Sequence, residues 1–524
     1  MSTAKPAGLG ARIVSTVQQR MLGLPPRRND YTVQRGVPVP TRDGERLHTD
    51  HYAPLGTARG TVLIRSPYGR GLPESLLHGR MLSERGYHVL IQSVRGTGGS
   101  SGTFHPITQE NDDAQDAVAW LRTQPWFTGS LATLGGSYLG WSQWALLRDA
   151  PPELRAAVVI VGPHDFGNAI HGTGTIALAD FLGWSAMTEA QSHGLPAVAA
   201  ARRRVKTALR QPTTADAAAV ALRGGAPWFD AWLSHPDLGD PYWQPYQASS
   251  SLRETTIPVL LIGGWQDLFV EQTLTQYREL GAHNANVAMT IGPWTHLDTA
   301  LKAAKVADTE SLAWFDQHLA GTGPDRPAPV HVHVTGAGQW RSMASWPPKT
   351  GDRVLHLAAG GRLLDSAEAR ADTIQFTCTP DDPTPAVGGR HMSAGAGSQD
   401  NTALEQRADV VVFTSGPLEH DIEVFGAPRV ELDVETGGQP ANVFVRLCDV
   451  DGRGRSWNIT EAFVPVADGS ATTVELGSCA HRFLTGHRLR VQVSGGAYPR
   501  YARNPKTVRY AIGVPGSSLT LPVG

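Results

Sequence analysis

Cysteine is scarce in this chain of 524 residues: only Cys378, Cys448 and Cys479 are present, all in the C-terminal third. So small and odd a number excludes a disulfide framework as the basis of the fold, and it is typical of proteins from a reducing compartment. The sequence also lacks any apolar run near the roughly 20 residues that a membrane-spanning helix needs. We therefore expect a cytoplasmic protein.

The N-terminal stretch, residues 1–24, lacks the continuous apolar core of a secretory signal peptide. Its basic residues Lys5, Arg12 and Arg20 are spread among small and apolar ones. We expect a short amphipathic lead-in to the first domain.

An excess of charge of either sign is absent as well. The 46 Lys and Arg residues stand against 48 Asp and Glu residues, for a formal net charge of −2. Such a balance provides no overall field to recruit nucleic acid or an anionic membrane, so neither is expected as a partner. The expected partner is a small molecule, and the sequence leaves a homo-oligomer open.

Continuous apolar runs alternate with helical patterns in the first 300 residues. Runs that are apolar throughout and separated by helices are typical of a parallel sheet covered on both faces. A helix is predicted over residues 112–122, because acidic residues are concentrated in its first turn. The predicted strands are Thr61–Ile64, His88–Ile91, Leu131–Leu134, Ala157–Val161, Pro258–Ile262 and Val287–Ile291.

Length and composition divide the chain into four stretches. A chain of 524 residues is too long for one ordinary core. Residues 165–250 are rich in Ala, Arg and Trp and lack buried-strand runs, which predicts an inserted cap of helices. The cap would separate the first part of one α/β domain, residues 1–164, from its second part, residues 251–348.

The C-terminal stretch, residues 349–524, has short segments that alternate between apolar and polar residues. This period of two is typical of antiparallel strands that have one face exposed to solvent. The turns between them contain Gly, Pro and Asp. Examples are Arg429–Val434, Val443–Leu447 and Arg488–Val493. We predict an all-β sandwich, with a jelly-roll topology.

A sharp turn around Ser137 is the first candidate for chemistry. The segment Gly135-Gly136-Ser137-Tyr138-Leu139-Gly140 directly follows a predicted strand, and small residues flank the serine. Between a buried strand and a helix this pattern is typical of a nucleophile elbow, which holds a serine hydroxyl above the sheet. A plain glycine-serine loop is the alternative reading of the same string.

A serine nucleophile needs a neutral histidine beside it and a carboxylate that orients the imidazole. Asp267 follows the predicted strand Pro258–Ile262, and His296 follows the predicted strand Val287–Ile291. The chain order Ser137, Asp267, His296 is the order found in α/β-hydrolases. Singly, each partner could equally be a turn former or a surface histidine, but the joint arrangement favours a catalytic set.

An oxyanion hole must also stabilise the negative charge that develops on the acyl oxygen. One donor is expected from the backbone N–H of Tyr138, directly after the nucleophile. The loop after the first buried strand offers the phenol of Tyr68 as the second donor. Residue chemistry alone leaves Tyr68 open as a rim aromatic.

These strings resemble the cocaine esterase and X-Pro dipeptidyl-peptidase family of serine hydrolases. The resemblance implies Ser137 as nucleophile, His296 as base and Asp267 as its orienter, with an oxyanion hole from the Tyr138 N–H and the Tyr68 hydroxyl. It also implies an α/β-hydrolase domain with an inserted helical cap, followed by a jelly roll. The matching segments are Ser66–Gly69, Arg95–Gly102, Gln124–Trp126, Gly136–Gly140, Gly263–Asp267, Gly292–His296, Gly416–Glu419, Leu447–Val450 and Tyr498–Pro505.

Cofactor and metal signals are weak. The glycine-rich stretch 95–102 has neither dinucleotide-binding nor P-loop spacing. His331 and His333 would share one face of a strand, but the sequence offers no evident third ligand, so a solvated strand face is favoured. We expect no cofactor and no metal.

Aromatic residues suggest the kind of substrate. All 14 tryptophans except Trp457 precede residue 350, and we expect Trp141, Trp184 and Phe269 to line an apolar acyl pocket, with core packing as the alternative. The resemblance implies aromatic walls for the esterase branch and carboxylates that hold a free amino group for the aminoacyl branches. Available carboxylates are Asp230, Asp237, Asp240 and Glu271.

We therefore expect a serine hydrolase that cleaves an ester or amide with a hydrophobic acyl group. X-Pro dipeptidyl-peptidase and α-amino acid ester hydrolase activities remain alternatives. Acyl transfer or cyclisation would use the same acyl-enzyme. A non-catalytic protein whose jelly roll binds carbohydrate or a partner is the last alternative.

Overall fold

The computed structural model of the chain describes residues 9–71, 74–368, 372–466 and 471–524. It contains a mixed α/β N-terminal part built on one large sheet and a β-rich C-terminal part built on another. The predicted lead-in falls partly on residues 1–8, which lie outside the described residues, and a helix follows at Leu9–Leu22.

The first sheet has ten strands among the described residues, in the spatial order β1-β2-β4-β3-β5-β6-β7-β8-β9-β10. All neighbours from β4 to β9 are parallel, whereas β1, β2 and β10 add antiparallel edges. The strands are β1 Tyr31–Pro40, β2 Arg46–Pro54, β3 Thr61–Ser66, β4 His88–Ser93, β5 Leu131–Gly136, β6 Leu154–Ile160, β7 Val259–Gln266, β8 Val287–Thr295, β9 Val330–Val334 and β10 Gln339–Met343.

Helices connect these strands, and those from α5 to α10 form one insertion between β6 and β7. A π-helical segment, Ser75–Arg80, follows β3 and leads into α2. The α-helices are α1 Leu9–Leu22, α2 Met81–Ser83, α3 Glu110–Arg122, α4 Tyr138–Leu146, α5 Phe166–His171, α6 Leu178–Ala190, α7 Leu195–Ala208, α8 Thr214–Leu222, α9 Pro227–Ser234, α10 Ser249–Glu254, α11 Val270–Gly281 and α12 Ala304–His318. Short 3₁₀ helices lie at Leu147–Asp149, Gln191–His193, Pro241–Tyr246, Leu297–Ala300 and Leu404–Gln406.

The six apolar runs predicted as buried strands correspond to β3 through β8. Central parallel strands are buried on both faces, so their sequences are apolar throughout and easily recognised. The antiparallel edge strands β1, β2 and β10 were not predicted. Much of β1 and β10 is exposed or half-buried, and β1 contains Pro38 and Pro40, so neither shows a buried-strand pattern.

The second sheet has twelve strands among the described residues, and within these residues β12 and β14 form a parallel pair. The three alternating segments predicted as strands lie in β16, β17 and β21. The jelly-roll topology stays a prediction. The strands are β11 Gly351–Ala358, β12 Arg362–Leu364, β13 Thr373–Cys378, β14 Val410–Thr414, β15 Ile422–Gly426, β16 Arg429–Glu435, β17 Asn442–Val450, β18 Ser456–Pro465, β19 Thr472–Glu475, β20 Cys479–Phe483, β21 Arg488–Ser494 and β22 Val508–Val523.

The N-terminal core continues onto the C-terminal part. Phe444, Phe463 and Tyr501 belong to the same buried apolar cluster as the strands of the first sheet. A second cluster lies wholly within the β-rich part. Because burial of apolar surface is the main stabilising contribution to packing, we infer that the two parts are held together by a shared apolar core.

None of the helices in the described part of the chain is both long and apolar enough to cross a membrane. All three cysteines are free thiols. A cytoplasmic location stays a prediction from the sequence.

Candidate active site

Ser137 lies at the sharp turn between the end of β5 and the start of α4. Its backbone angles, φ 58° and ψ −123°, are in a region that a residue with a side chain rarely adopts. The turn is tight, because a Cβ on Gly135 would come within 2.4 Å of the Leu139 Cβ. At Gly140 an added Cβ would come within 2.5 Å of the Gly162 Cα. The glycines that the elbow pattern requires are therefore at the crowded positions.

A continuous hydrogen-bond path runs from the serine to a buried carboxylate. His296 Nε2 lies 2.9 Å from Ser137 Oγ, and His296 Nδ1 lies 2.6 Å from Asp267 Oδ1. Asp267 is fully buried, and its other oxygen accepts the Phe269 N–H at 3.1 Å. An Nδ1–H donated to Asp267 leaves Nε2 free to accept the serine proton.

The sheet explains why three residues so distant in sequence meet. Asp267 directly follows β7, and His296 directly follows β8, the adjacent strand. Ser137 follows β5, which is separated from β7 by β6 alone. Since the carboxyl ends of parallel strands lie at one edge, all three side chains reach the same crevice.

Tyr68 is in the loop after β3, beside the serine. Its hydroxyl accepts a hydrogen bond from Trp184 Nε1 at 3.0 Å and also interacts with the Ser137 side chain. The residue is 43% exposed, and the partial loss of water around its hydroxyl raises the pKa of Tyr68 to about 12. The phenol therefore stays protonated and able to donate near neutral pH.

Tyr138 is fixed in place by its own phenol. The hydroxyl donates to Glu110 Oε1 at 2.8 Å and accepts the Ile107 N–H at 2.9 Å. Burial raises the pKa of Tyr138 well above its ordinary value, so the phenol is neutral. Its backbone N–H is the first of α4, where amides have no acceptor within the helix, and it is therefore available to an anion.

A cavity of about 530 Å³ opens on these groups. Its lining includes Tyr68, Ser137, Trp184 and His296. Most of the remaining wall is apolar, and charged groups occupy a few places. The apolar wall consists of Leu139, Ile160, Val161, Ala179, Met187, Val205, Leu297, Ala300, Ala304, Ala307 and Met392, and the further ionisable residues are Glu74, His78, Asp180, Arg202 and Asp308.

Two family models match the chain in succession. Residues 43–298 match the model described as X-Pro dipeptidyl-peptidase (S15 family). Residues 322–514 match the model for the X-Pro dipeptidyl-peptidase C-terminal non-catalytic domain. The chain therefore has an S15-family domain followed by an X-Pro dipeptidyl-peptidase C-terminal domain. It is therefore a serine hydrolase, of esterase or peptidase type.

Known proteins are similar to this chain over nearly its whole length. The cocaine esterase of Rhodococcus sp. (strain MB1 Bresler) is 28% identical over 540 residues, covering 91% of this chain and 93% of the relative. An aminopeptidase from a marine sediment Thaumarchaeota archaeon has a TM-score of 0.82 at 20% identity, covering 94% and 96% of the two chains. An α-amino acid ester hydrolase has a TM-score of 0.80 at 22% identity, covering 95% and 97%. Both structures share the fold.

Two of the three aromatic residues predicted to line the pocket need correction. Trp184 lines the cavity, but Trp141 and Phe269 do not. Trp141 is fully buried, packs edge-on against Phe166 and donates its Nε1–H to the Ile107 carbonyl at 3.3 Å. Phe269 is 3% exposed and packs edge-on against the His296 ring, with centroids 5.4 Å apart. Phe269 thus supports the imidazole.

The carboxylates of the cavity are also different from those suggested by the sequence. None of Asp230, Asp237, Asp240 and Glu271 is among the lining residues. Instead Asp180 of α6 lines the wall, where it is 5% exposed and accepts the Met392 N–H at 2.8 Å. Burial raises the pKa of Asp180 to about 6. Nothing in the local sequence of α6 marks this residue as facing the cavity.

Met392 and Ser393 bring the C-terminal part to the cavity wall. Arg390 anchors this loop, because its Nε donates to the Trp265 carbonyl at 2.9 Å and its guanidinium pairs with Glu271 at 2.7 Å. Trp265 precedes Asp267 by two residues, so the loop is attached to the strand that carries the carboxylate. No sequence pattern predicted this long-range contact.

The histidine pair on β9 has structural partners. His331 Nδ1 lies 3.1 Å from Glu310 Oε1, and the His333 ring packs edge-on against Trp340. Within the described part of the chain, no group of three or more His, Cys, Asp or Glu residues could hold a metal ion.

Proposed function

We propose that the chain cleaves an ester or amide with a hydrophobic acyl group through an acyl-enzyme formed on Ser137. The observation that carries the proposal is the path from Ser137 Oγ through His296 to the buried Asp267, with distances of 2.9 and 2.6 Å. The reaction class follows from the family, and the roles of the residues are our assignment.

In the first step, Ser137 Oγ attacks the acyl carbonyl while His296 Nε2 accepts the hydroxyl proton. The imidazolium is then stabilised by the Asp267 carboxylate, which remains ionised throughout. The Asp267 hydrogen bond also holds the ring in the tautomer whose Nε2 can accept, and Phe269 packs against the same ring.

The tetrahedral intermediate places a negative charge on the former carbonyl oxygen. We assign its stabilisation to the Tyr138 N–H and the Tyr68 hydroxyl. Tyr68 accepts the Trp184 indole N–H, which leaves its own hydrogen free to be donated to the oxyanion. Donors that are already fixed before the reaction need no reorganisation as charge develops.

Collapse of the intermediate transfers the proton from His296 Nε2 to the leaving oxygen or nitrogen and leaves the acyl group on Ser137 Oγ. Water then attacks the acyl carbonyl, with His296 again accepting a proton. The second tetrahedral intermediate releases the carboxylic acid and restores the serine.

The apolar wall supports a hydrophobic substrate. Leu139, Ile160, Val161, Met187 and Val205 surround the reactive groups, and burial of apolar substrate surface against them would supply binding energy. The curated relative at 28% identity is a cocaine esterase, which favours esters over peptides. Acyl transfer to an alcohol or amine would use the same acyl-enzyme.

The test is covalent labelling with a fluorophosphonate, followed by peptide mapping, together with turnover of p-nitrophenyl esters of increasing acyl length. We expect one label per chain at Ser137, and kcat/KM that rises with acyl length until the cavity is filled. A folded protein that takes no label, or that takes it elsewhere, would contradict the assignment. Product analysis with added alcohols or amines separates hydrolysis from acyl transfer.

A further inference from the structure

A buried hydrogen-bond network connects the two segments that carry the proposed oxyanion donors. At its centre is Glu110, the first residue of α3, which is 2% exposed. One carboxylate oxygen, Oε1, accepts the hydrogen bond of the Tyr138 phenol at 2.8 Å. The other, Oε2, lies 2.7 Å from Arg65 Nη1. Glu110 thus contacts the elbow helix α4 on one side and the end of β3 on the other.

Arg65 connects this carboxylate to the segment of the second donor. It is the penultimate residue of β3, is buried, and also donates to the Glu110 carbonyl oxygen at 2.7 Å. Its Nε donates to Gln92 Oε1 at 3.0 Å, so the guanidinium is held at two points. The next residue, Ser66, accepts the Tyr68 N–H on its Oγ at 3.1 Å. The backbone of Tyr68 is therefore attached directly to the strand end that Glu110 holds.

Backbone strain lies in the same network. Ile107, three residues before Glu110, has a φ of 79°, which a β-branched residue rarely adopts. Its N–H donates to the Tyr138 phenol at 2.9 Å, and its carbonyl accepts the Trp141 Nε1–H at 3.3 Å. Such strain persists only where surrounding contacts enforce it, and it is concentrated at functional sites. Here both contacts come from α4, the helix that begins at the elbow.

Net stability does not explain a buried charge pair at this position. The cost of removing two charges from water offsets much of their attraction, and apolar residues of similar volume often stabilise a core equally well. Burial raises the pKa of Glu110, while the Arg65 charge and the Tyr138 hydrogen bond oppose that effect. What the pair provides and apolar side chains do not is direction, because charge-assisted hydrogen bonds fix the geometry of both partners.

We propose that Glu110 is a positioning residue that sets the distance between the two oxyanion donors, the Tyr138 N–H and the Tyr68 hydroxyl. The inference rests on the proposed function and deepens it, because Glu110 is not among the described residues that line the cavity. Donors stabilise a developing oxyanion only when they are already directed at its position, and a small misplacement is costly. The Tyr138 phenol holds the first turn of α4, and Arg65 holds the strand end before Tyr68.

Two substitutions break the network at different links. Tyr138→Phe removes the phenol and keeps the backbone N–H, whereas Glu110→Gln keeps an acceptor for Tyr138 and removes the charge that faces Arg65. We expect each to lower kcat for p-nitrophenyl heptanoate about tenfold, with KM changed less than about twofold. Rates are expressed per fluorophosphonate-reactive serine, so that only folded protein is counted. An unchanged kcat in Tyr138→Phe would overturn the proposal even if Glu110→Gln failed to fold.

An inhibitor that forms an oxyanion measures the two donors directly. When hexyl trifluoromethyl ketone adds to the enzyme, Ser137 Oγ bonds to the ketone carbon, the hydroxyl proton passes to His296, and the carbonyl oxygen becomes the anion. We expect its inhibition constant to rise about tenfold in Tyr138→Phe and in Glu110→Gln, in parallel with the fall in kcat/KM. An inhibition constant that stays at the parent value while kcat falls would contradict an effect on the oxyanion.

Tyr87→Phe is the matched control. Tyr87 is fully buried and its phenol donates to Asp316 Oδ1 at 2.7 Å, so this variant also loses a buried hydrogen bond between a phenol and a carboxylate. We expect it to lose stability in urea as Tyr138→Phe does, and to keep the parent kcat and inhibition constant. Equal losses of kcat in the two variants would make the effect of Tyr138→Phe a general consequence of a lost hydrogen bond, and would overturn the positioning role.

A double-mutant cycle tests the link to Tyr68. In Tyr68→Phe only one assigned donor remains, and the oxyanion can move toward it, so the spacing of the two donors no longer matters. We therefore expect Tyr138→Phe to lower kcat less than about threefold in that background, against about tenfold in the parent. A full tenfold loss in both backgrounds would overturn the proposal. By contrast, ester turnover that persists in Ser137→Ala would overturn the proposed function, so the two failures are distinguishable.

Discussion

Two buried aspartates of this molecule differ in the hydrogen-bond donors that the protein supplies to their carboxylates. Asp267, fully buried, accepts the His296 Nδ1–H with one oxygen and the Phe269 N–H with the other. Asp308 is 4% exposed, and its Oδ2 has no partner among the described residues. Asp267 directly follows β7 and contacts His296 of the cavity wall, whereas Asp308 lies on α12 and lines the cavity itself. Of the two, Asp267 alone has donors to both oxygens among the described residues.

The number of donors determines how each buried carboxylate affects the folded chain. Donors built into the fold hold the Asp267 carboxylate in a fixed geometry, as a residue that orients an imidazole requires. A buried carboxylate without donors instead destabilises the folded chain locally. The comparison predicts large losses of rate when Ser137, Asp267 or Tyr68 is substituted, and a gain of stability when Asp308 is substituted.

The largest expected effect is that of Ser137→Ala. Removal of the nucleophile should lower kcat for p-nitrophenyl heptanoate by roughly 10⁴ to 10⁶. The measurement is steady-state turnover, corrected for spontaneous hydrolysis, with fluorophosphonate labelling of the same protein as the control. A decrease of less than tenfold would remove Ser137 from its assigned role.

Asp267→Asn should lower kcat by about 10⁴. The carboxamide can donate to His296 Nδ1, which favours the tautomer that carries hydrogen on Nε2 and can no longer accept the serine proton. The rate of fluorophosphonate labelling should fall in parallel, because it depends on the same activation of Ser137. A variant that labels at the normal rate would show that Asp267 does not orient the base.

Tyr68→Phe should lower kcat on the order of 10², with a smaller change in KM. The reason is that the phenol donates to charge present in the transition state, whereas the ring that contacts substrate is retained. Initial-rate kinetics over a range of ester concentrations separate the two constants. An unchanged kcat would leave Tyr68 as a wall of the cavity.

Asp308→Asn should increase stability, by up to about 3 kcal/mol at pH 8. The pKa of Asp308 is about 6 in the folded chain against an ordinary 3.8, so the unfolded chain loses this proton first as the pH rises. The resulting destabilisation develops between these two pH values and is complete above about 6. The gain should therefore shrink as the pH is lowered to about 4.

Urea unfolding of Asp308→Asn and the parent chain at several pH values measures this difference. Asp112→Asn is the matched control, since its side chain is largely exposed. A gain that is equal at pH 4 and pH 8, or a loss at pH 8, would show that Asp308 is not a destabilising buried charge.

The central sheet and the meeting of Ser137, Asp267 and His296 could be predicted because their signals are local. Strands β3 through β8 are apolar throughout, and Asp267 and His296 directly follow β7 and β8. The glycine spacing around Ser137 depends on contacts within a few residues of the turn. Sequence alone could therefore predict both the crevice and the three residues that meet there.

The cavity wall could not be predicted in the same way. Trp141 is only four residues from Ser137, but its position on α4 turns it into the core. Asp308 and Met392 reach the cavity from α12 and from the C-terminal part, through packing between segments far apart in sequence. Which side of a helix faces a cavity depends on neighbours that local periodicity does not contain.

The loop from Arg390 to Ser393 has a consequence for dissecting this molecule. It is attached to the strand before Asp267 through Trp265, bonds to Asp180 of the helical insertion, and supplies part of the cavity wall. A chain truncated after β10 would therefore lack this part of the wall, and its cavity would be more open to solvent. Selection for new substrates could act as directly on positions 392 and 393 as on the residues beside the serine.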